Sequence, residues 1–174
     1  LEIKSNAFYE LYKPYGKSVA EKVLSHHLNN GGVSRYNKLR FYHQNYLNKD
    51  LSKKELDTLA DKFSNLVVKK VVLSKEVPGA KWFLKKHEHI NKWIVSATPE
   101  NEIRDIVYKR GDHKYFKGIY GSPTKKEEIV SSIIKQYNLK KQETLFLGDA
   151  LADFEAANLN EIDFFKRRTK ENRN

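Results

Sequence analysis

The sequence has no cysteine and no methionine, and only 4 prolines among 174 residues. Without thiols there are no disulfides and no thiolate metal sites. That composition suits a reducing compartment, so a cytoplasmic location is expected. No apolar run approaches the roughly 20 residues that span a bilayer. Residues 1–12 are mixed and charged and do not read as a signal peptide. No membrane partner is expected. The absence of methionine, with Leu at position 1, gives the expectation that the natural start lies upstream. Acidic residues are also in short supply: 22 against 33 Lys and Arg, a net charge of +11. One reading of that excess is a nucleic-acid partner. The lysines occur in almost every segment without forming a long block, however, which fits solvated faces. No nucleic acid is therefore expected, whereas a phosphorylated substrate would suit an electropositive surface.

What is present can build a core. Hydrophobic residues make up 39% and aromatics 12%, in a chain long enough for one domain or a core with an appendage. The two halves differ in pattern. Residues 1–75 carry helical periodicity and little that reads as strand. In 15–28, Val19, Val23, Leu24 and Leu28 recur at helical intervals, and Gly31-Gly32 ends the helix. Ser34 is a candidate N-cap for a helix through Leu47. Ser52, with Glu55 three residues later, is a candidate capping box for a third helix reaching Val72.

From residue 76 onward the pattern alternates. Helices are expected from Pro78, from Pro99 to Tyr108, over 124–137 and over 151–157. Short apolar strands are expected at 93–95, 118–120, 144–147 and 162–165, the third of them buried. Strands alternating with helices imply parallel pairing in an open, doubly wound α/β sheet. Ligands of such sheets lie at the carboxyl ends of the strands.

Three strand ends carry polar chemistry. In LFLGDALAD, Asp149 stands at a strand tip and Asp153 one turn into the next helix. The pair either faces a hard cation such as Mg²⁺, or serves as an N-cap and a dipole-favoured acid. In WIVSATP, Ser96 directly follows an apolar strand, with Ala97 beside it. It is either a phosphate-binding hydroxyl near helix amides or, like Thr98, a plain cap. In GSPTKK, Lys125 and Lys126 open a helix, against the helix dipole. One reaching a phosphate or an acid cluster would account for that; the alternative is a solvated pair offset by Glu127 and Glu128.

A hydroxyl, then a lysine, then an acidic pair, each at the end of a successive strand, resembles the haloacid dehalogenase superfamily, in the phosphatase branch with a helical cap inserted near the N-terminus. The resemblance covers essentially the whole chain. It implies a Rossmann-like core over 76–174 and an all-helical cap over 1–75. It makes Ser96 the phosphate-binding hydroxyl and Lys126 the neutralising lysine, with Lys125 as the alternative. Asp149 becomes the Mg²⁺ ligand and Asp153 its supporting acid. The cap would select the substrate, with Arg35 and Lys38 as candidate contacts to the leaving group or, alternatively, part of a solvated face. The six histidines have no metal-ligand spacing.

The family's first motif, Asp-x-Asp-Gly, does not occur in the sequence. The nucleophilic Asp and the first strand are expected upstream of Leu1, within roughly 15–20 residues for a strand and its connections. The expected activity is Mg²⁺-dependent hydrolysis of a small phosphorylated metabolite through an aspartyl-phosphate. The alternatives are a sugar phosphomutase and a fragment that binds phosphate or a partner without turnover.

Overall fold

The structure is a computed structural model that describes residues 2–168. It opens with four helices: α1 (Glu2–Tyr12), α2 (Lys17–Asn29), α3 (Arg35–Leu47) and α4 (Lys53–Val72). The sequence pattern starts the first helix at residue 15, so α1 is an addition. Its apolar residues Ile3, Ala7, Phe8, Leu11 and Tyr12 fall at helical spacing and join the core of the other three helices. That core is aromatic. The ring of Tyr42 stands edge-on to those of Phe8 and Tyr12, with centroids 5.7 and 5.4 Å apart, a favourable quadrupole arrangement.

Both expected caps are present. Ser34 Oγ accepts from the Asn37 amide at 3.3 Å. Ser52 Oγ accepts from the Glu55 amide at 3.3 Å, while the Glu55 carboxylate accepts from the Ser52 amide at 2.9 Å. Two amides that the helix itself cannot satisfy are thereby paired. Ser52→Ala should lower stability by about 1 kcal/mol, read as a lower urea midpoint at unchanged slope. An unchanged midpoint would show that the box contributes nothing.

The second half runs α5 (Ala80–Lys86), β1 (Trp93–Pro99), α6 (Glu100–Lys109), β2 (Gly118–Ser122), α7 (Lys126–Gln136), β3 (Leu145–Gly148), α8 (Leu151–Leu159) and β4 (Asp163–Lys166). β1 pairs with β2 in parallel, Ile94 opposite Ile119. β3 pairs with β4 in parallel, Phe146 opposite Phe164. Among the described residues these are two separate pairs. This is the α/β fold with parallel strands that the alternation implies.

Two expectations change. α5 is shorter than the proline signal suggested and begins at Ala80, two residues beyond Pro78. β3 is not buried throughout. Leu145 and Leu147 are 54% and 56% exposed, while Phe146 packs beside Val130 and Ala157. Side chains alternate across a strand, and the helices α7 and α8 cover only the Phe146 face. Among the described residues no helix is long and apolar enough to cross a membrane.

Two polar links, one half-buried and one buried, tie the halves together. Arg110, just past α6, donates through Nη1 to the carbonyls of Val71, Val72 and Ser74 at 3.1, 2.9 and 3.0 Å, closing the C-terminus of α4. Arg35 on α3 grips the Glu102 carboxylate on α6 with two N–H groups, at 2.7 and 2.5 Å. Ser64 on α4 donates to the same carboxylate at 2.5 Å.

Candidate functional site

The carboxyl ends of β1 and β3 open onto a cleft of about 760 Å³ between the two halves. Ser96, Ala97 and Thr98 line it from β1, Lys126 from α7, and Asp149 to Asp153 from the turn into α8. Helices α1, α2 and α3 form the opposite wall. Residues from distant parts of the chain thus meet where an open parallel sheet binds its ligands.

Asp153 organises this site. It is 5% exposed. Its Oδ1 accepts from Lys126 Nζ, and its Oδ2 accepts from the amides of Asp149 and Ala150, each at 3.1 Å. One carboxylate therefore fixes the lysine and the backbone that carries Asp149. Gly148 makes this possible. A Cβ at Gly148 would lie 2.4 Å from Asp153 Cβ, so any side chain there would displace the acid. Gly121 has a similar role at the neighbouring tip: a Cβ there would lie 2.4 Å from the Thr98 carbonyl oxygen. It lets β2 pass close under β1 before the chain turns through the Ser122–Pro123 cis bond towards Lys126.

Ser96 lies within β1, which runs on to Pro99, rather than at a helix cap. Its Oγ accepts from the Thr98 amide at 3.1 Å, within the stretch where the pairing of β1 with β2 shifts register, between Val95 and Pro99. The N-cap of α6 is Pro99, with no side-chain cap, so neither Ser96 nor Thr98 fills that role. The N-cap of α8 is Ala150 rather than Asp149. Of the two lysines that open α7, Lys126 reaches the cleft. Lys125 occupies the N-cap position with its side chain 72% exposed, 4.0 Å from Glu127.

Arg35 and Lys38 both line the cleft. They are 5% and 2% exposed, so a solvated face is ruled out for both. The Arg35 guanidinium is occupied by Glu102 and stacks over the Phe63 ring, 4.5 Å from its centroid. Lys38 Nζ instead meets His27 Nδ1 at 2.8 Å.

Two cleft residues escape sequence reasoning. Lys4 on α1 donates from Nζ to Thr98 Oγ1 at 3.0 Å, reaching across to the end of β1. Burial pulls its pKa below the usual lysine range, and the nearby Arg35 charge pulls it further. His27 on α2 is 5% exposed. Burial, reinforced by Lys38, pulls its pKa down to about 3. The signal for Lys4 was its place one turn before Phe8 on an amphipathic helix; His27 carried none.

A divalent cation is a reasonable guest of these donors. Asp149 offers a hard oxygen ligand at a strand tip, and Asp153, with both oxygens engaged, stiffens its backbone. Among the described residues, no group of three or more His, Asp or Glu side chains could hold a metal.

Residues 2–166 match the family description "haloacid dehalogenase-like hydrolase". The chain belongs to that family. No curated protein matches it. Solved structures share its fold at low identity. A candidate haloacid dehalogenase-like hydrolase from Bacteroides fragilis is 14% identical, with a TM-score of 0.71 over 98% of this chain and 80% of that one. A predicted phosphoglycolate phosphatase from Haemophilus somnus 129pt is 15% identical, with a TM-score of 0.70 over 95% and 77%. A candidate β-phosphoglucomutase from Thermotoga maritima is 17% identical, with a TM-score of 0.64 over 98% and 82%. At such identities these likenesses establish the fold alone.

Proposed function

We propose that the chain is the substrate-handling part of a Mg²⁺-dependent phosphoric-monoester hydrolase acting on a small phosphorylated metabolite. The observation that carries the reading is the convergence of Ser96, Lys126 and Asp149 on one cleft, with Asp153 joining the last two. Lys126 lies beside the phosphoryl oxygens and offsets their charge, as phosphoryl transfer requires. The Ser96 hydroxyl donates to one of the same oxygens. Residues 1–75 act as the cap that excludes water, and residues 76–174 as the core.

Asp149, supported by Asp153, would hold Mg²⁺, which when bound would supply further positive charge at the phosphate. The attacking carboxylate is expected upstream of Leu1, because Asp-x-Asp-Gly does not occur in the sequence. Its oxygen bonds to phosphorus as the ester P–O bond breaks. The leaving alkoxide takes a proton from the second Asp of that same upstream motif, and water, giving a proton back to it, cleaves the aspartyl-phosphate to inorganic phosphate and the free carboxylate. A cytoplasmic setting without nucleic-acid or membrane partners belongs to the same reading, supported by the lack of cysteine and the dispersed lysines.

The test is hydrolysis of p-nitrophenyl phosphate by the full-length protein with Mg²⁺. Asp149→Asn should lower kcat/KM by on the order of 10²–10³-fold. Wild-type rates in that variant would overturn the metal assignment. Phosphate binding without hydrolysis by the wild type would favour a non-catalytic binder. Net transfer to a sugar hydroxyl rather than to water would favour a mutase.

A further inference from the structure

The wall of the cleft facing the strand ends is more basic than a single phosphoryl group needs. Lys4 comes from α1, His27 from α2 and Lys38 from α3, so three helices deliver nitrogen donors to one place. Lys38 is 2% exposed. Its acceptors are His27 Nδ1 at 2.8 Å and the His27 carbonyl at 3.4 Å, both neutral. Lys4 has a neutral acceptor too, the Thr98 hydroxyl. No carboxylate of the described residues forms an ion pair with either lysine. The nearby Glu102 carboxylate is taken by Arg35.

An ammonium can only donate, so the short contact makes His27 Nδ1 the acceptor. The network then assigns the ring proton to Nε2. That N–H is buried and has no hydrogen-bond partner among the described residues. Two buried or half-buried ammonium groups without a direct ion pair, only Lys4 feeling the more distant Glu102 and Asp149 carboxylates, beside an orphaned donor, form an unfavourable arrangement in isolation. Burial, with Lys4 adding to it, pulls Lys38 down to about 8. An anion seated among them would relieve all three groups at once.

We propose that Lys38, Lys4 and His27 form a subsite for a second anionic group of the substrate, distinct from the phosphoryl group at Ser96 and Lys126. The substrate class is then a phosphomonoester that also carries a carboxylate or a second phosphate. This rests on the phosphatase reading and narrows it. The cap recognises the remote anion, and the core handles the reacting one.

The experiment is calorimetric titration of the full-length protein with non-hydrolysable probes. ω-Carboxyalkylphosphonates of increasing chain length are compared with alkylphosphonates of matching length, and with bisphosphonates of the same span. At one chain length the second anion should tighten binding at least about ten-fold, the effect of one charge-assisted hydrogen bond. The better arm, carboxylate or phosphonate, identifies the group. The advantage should vanish in Lys38→Met and shrink in Lys4→Met, and Lys38→Arg should keep part of it. Equal binding of charged and neutral probes at every length would overturn the subsite. So would an advantage that survives both Met variants. Hydrolysis of p-nitrophenyl phosphate is measured in parallel. A second-anion advantage without hydrolysis rejects the phosphatase reading and keeps the subsite; hydrolysis without the advantage does the reverse.

Discussion

Asp153→Asn in the full-length protein should lower phosphatase kcat/KM by on the order of 10²–10³-fold and stability by about 3 kcal/mol. The two effects have one origin. Asp153 accepts from Lys126 on one oxygen and from the amides of Asp149 and Ala150 on the other. Asparagine offers one acceptor oxygen and one donor group. If the oxygen faces the amides, the NH₂ group meets the Lys126 ammonium. If it faces the lysine, the NH₂ group meets two N–H donors. Either way buried donors confront each other, and the Lys126 and Asp153 side chains are only 12% and 8% exposed. Water cannot take over such a contact cheaply. The lysine then swings from its post and the turn carrying Asp149 loosens. Steady-state kinetics measures the first effect and urea unfolding the second. A variant with wild-type kcat/KM would show that Asp153 does not position Lys126 in the working enzyme.

Glu102→Ala is expected to cost about 3–5 kcal/mol of stability, large beside the 5–15 kcal/mol that holds a typical domain together. It would leave the Arg35 guanidinium, 5% exposed, with only the Ser64 hydroxyl and, at 3.4 Å, the Ala60 carbonyl. An uncompensated buried cation is the costly state, more than the loss of the pair itself. The double variant Arg35→Met/Glu102→Ala should therefore recover much of the loss, and a double-mutant cycle isolates the coupling. A loss below about 1 kcal/mol in Glu102→Ala would place the pair among those that contribute little. Because α6 begins directly after β1, the same substitution should also disturb the strand end that carries Ser96.

Local chemistry made part of this legible in the sequence. The Ser52–Glu55 capping box is a four-residue pattern with one structural meaning, and it is present as read. The gathering of Ser96, Lys126, Asp149 and Asp153 beside the strand ends followed from apolar runs broken by polar residues. The misread features depend on partners far along the chain. The solvated-face alternative for Arg35 fails because its partner, Glu102, is 67 residues away and buries it. Leu145 and Leu147 looked buried because a short apolar run does not reveal which face of its strand is covered. Lys4 was missed because α1 was not separated from the segment before the first glycine.

The glycine pair that ends α2 has a consequence of another kind. A Cβ on Gly32, whose φ is +81°, would lie 3.0 Å from Ala150 Cβ and 3.1 Å from Ala152 Cβ. The helical half thus rests on the turn that carries Asp149 through the smallest side chains available. Volume at this contact cannot be traded, because position 32 has none to give up. Growth at Ala150 or Ala152 has no compensating shrinkage across the seam. Divergence here should be one-sided: the walls around Lys4 and Lys38 are free to drift with the substrate, while this point of contact stays small.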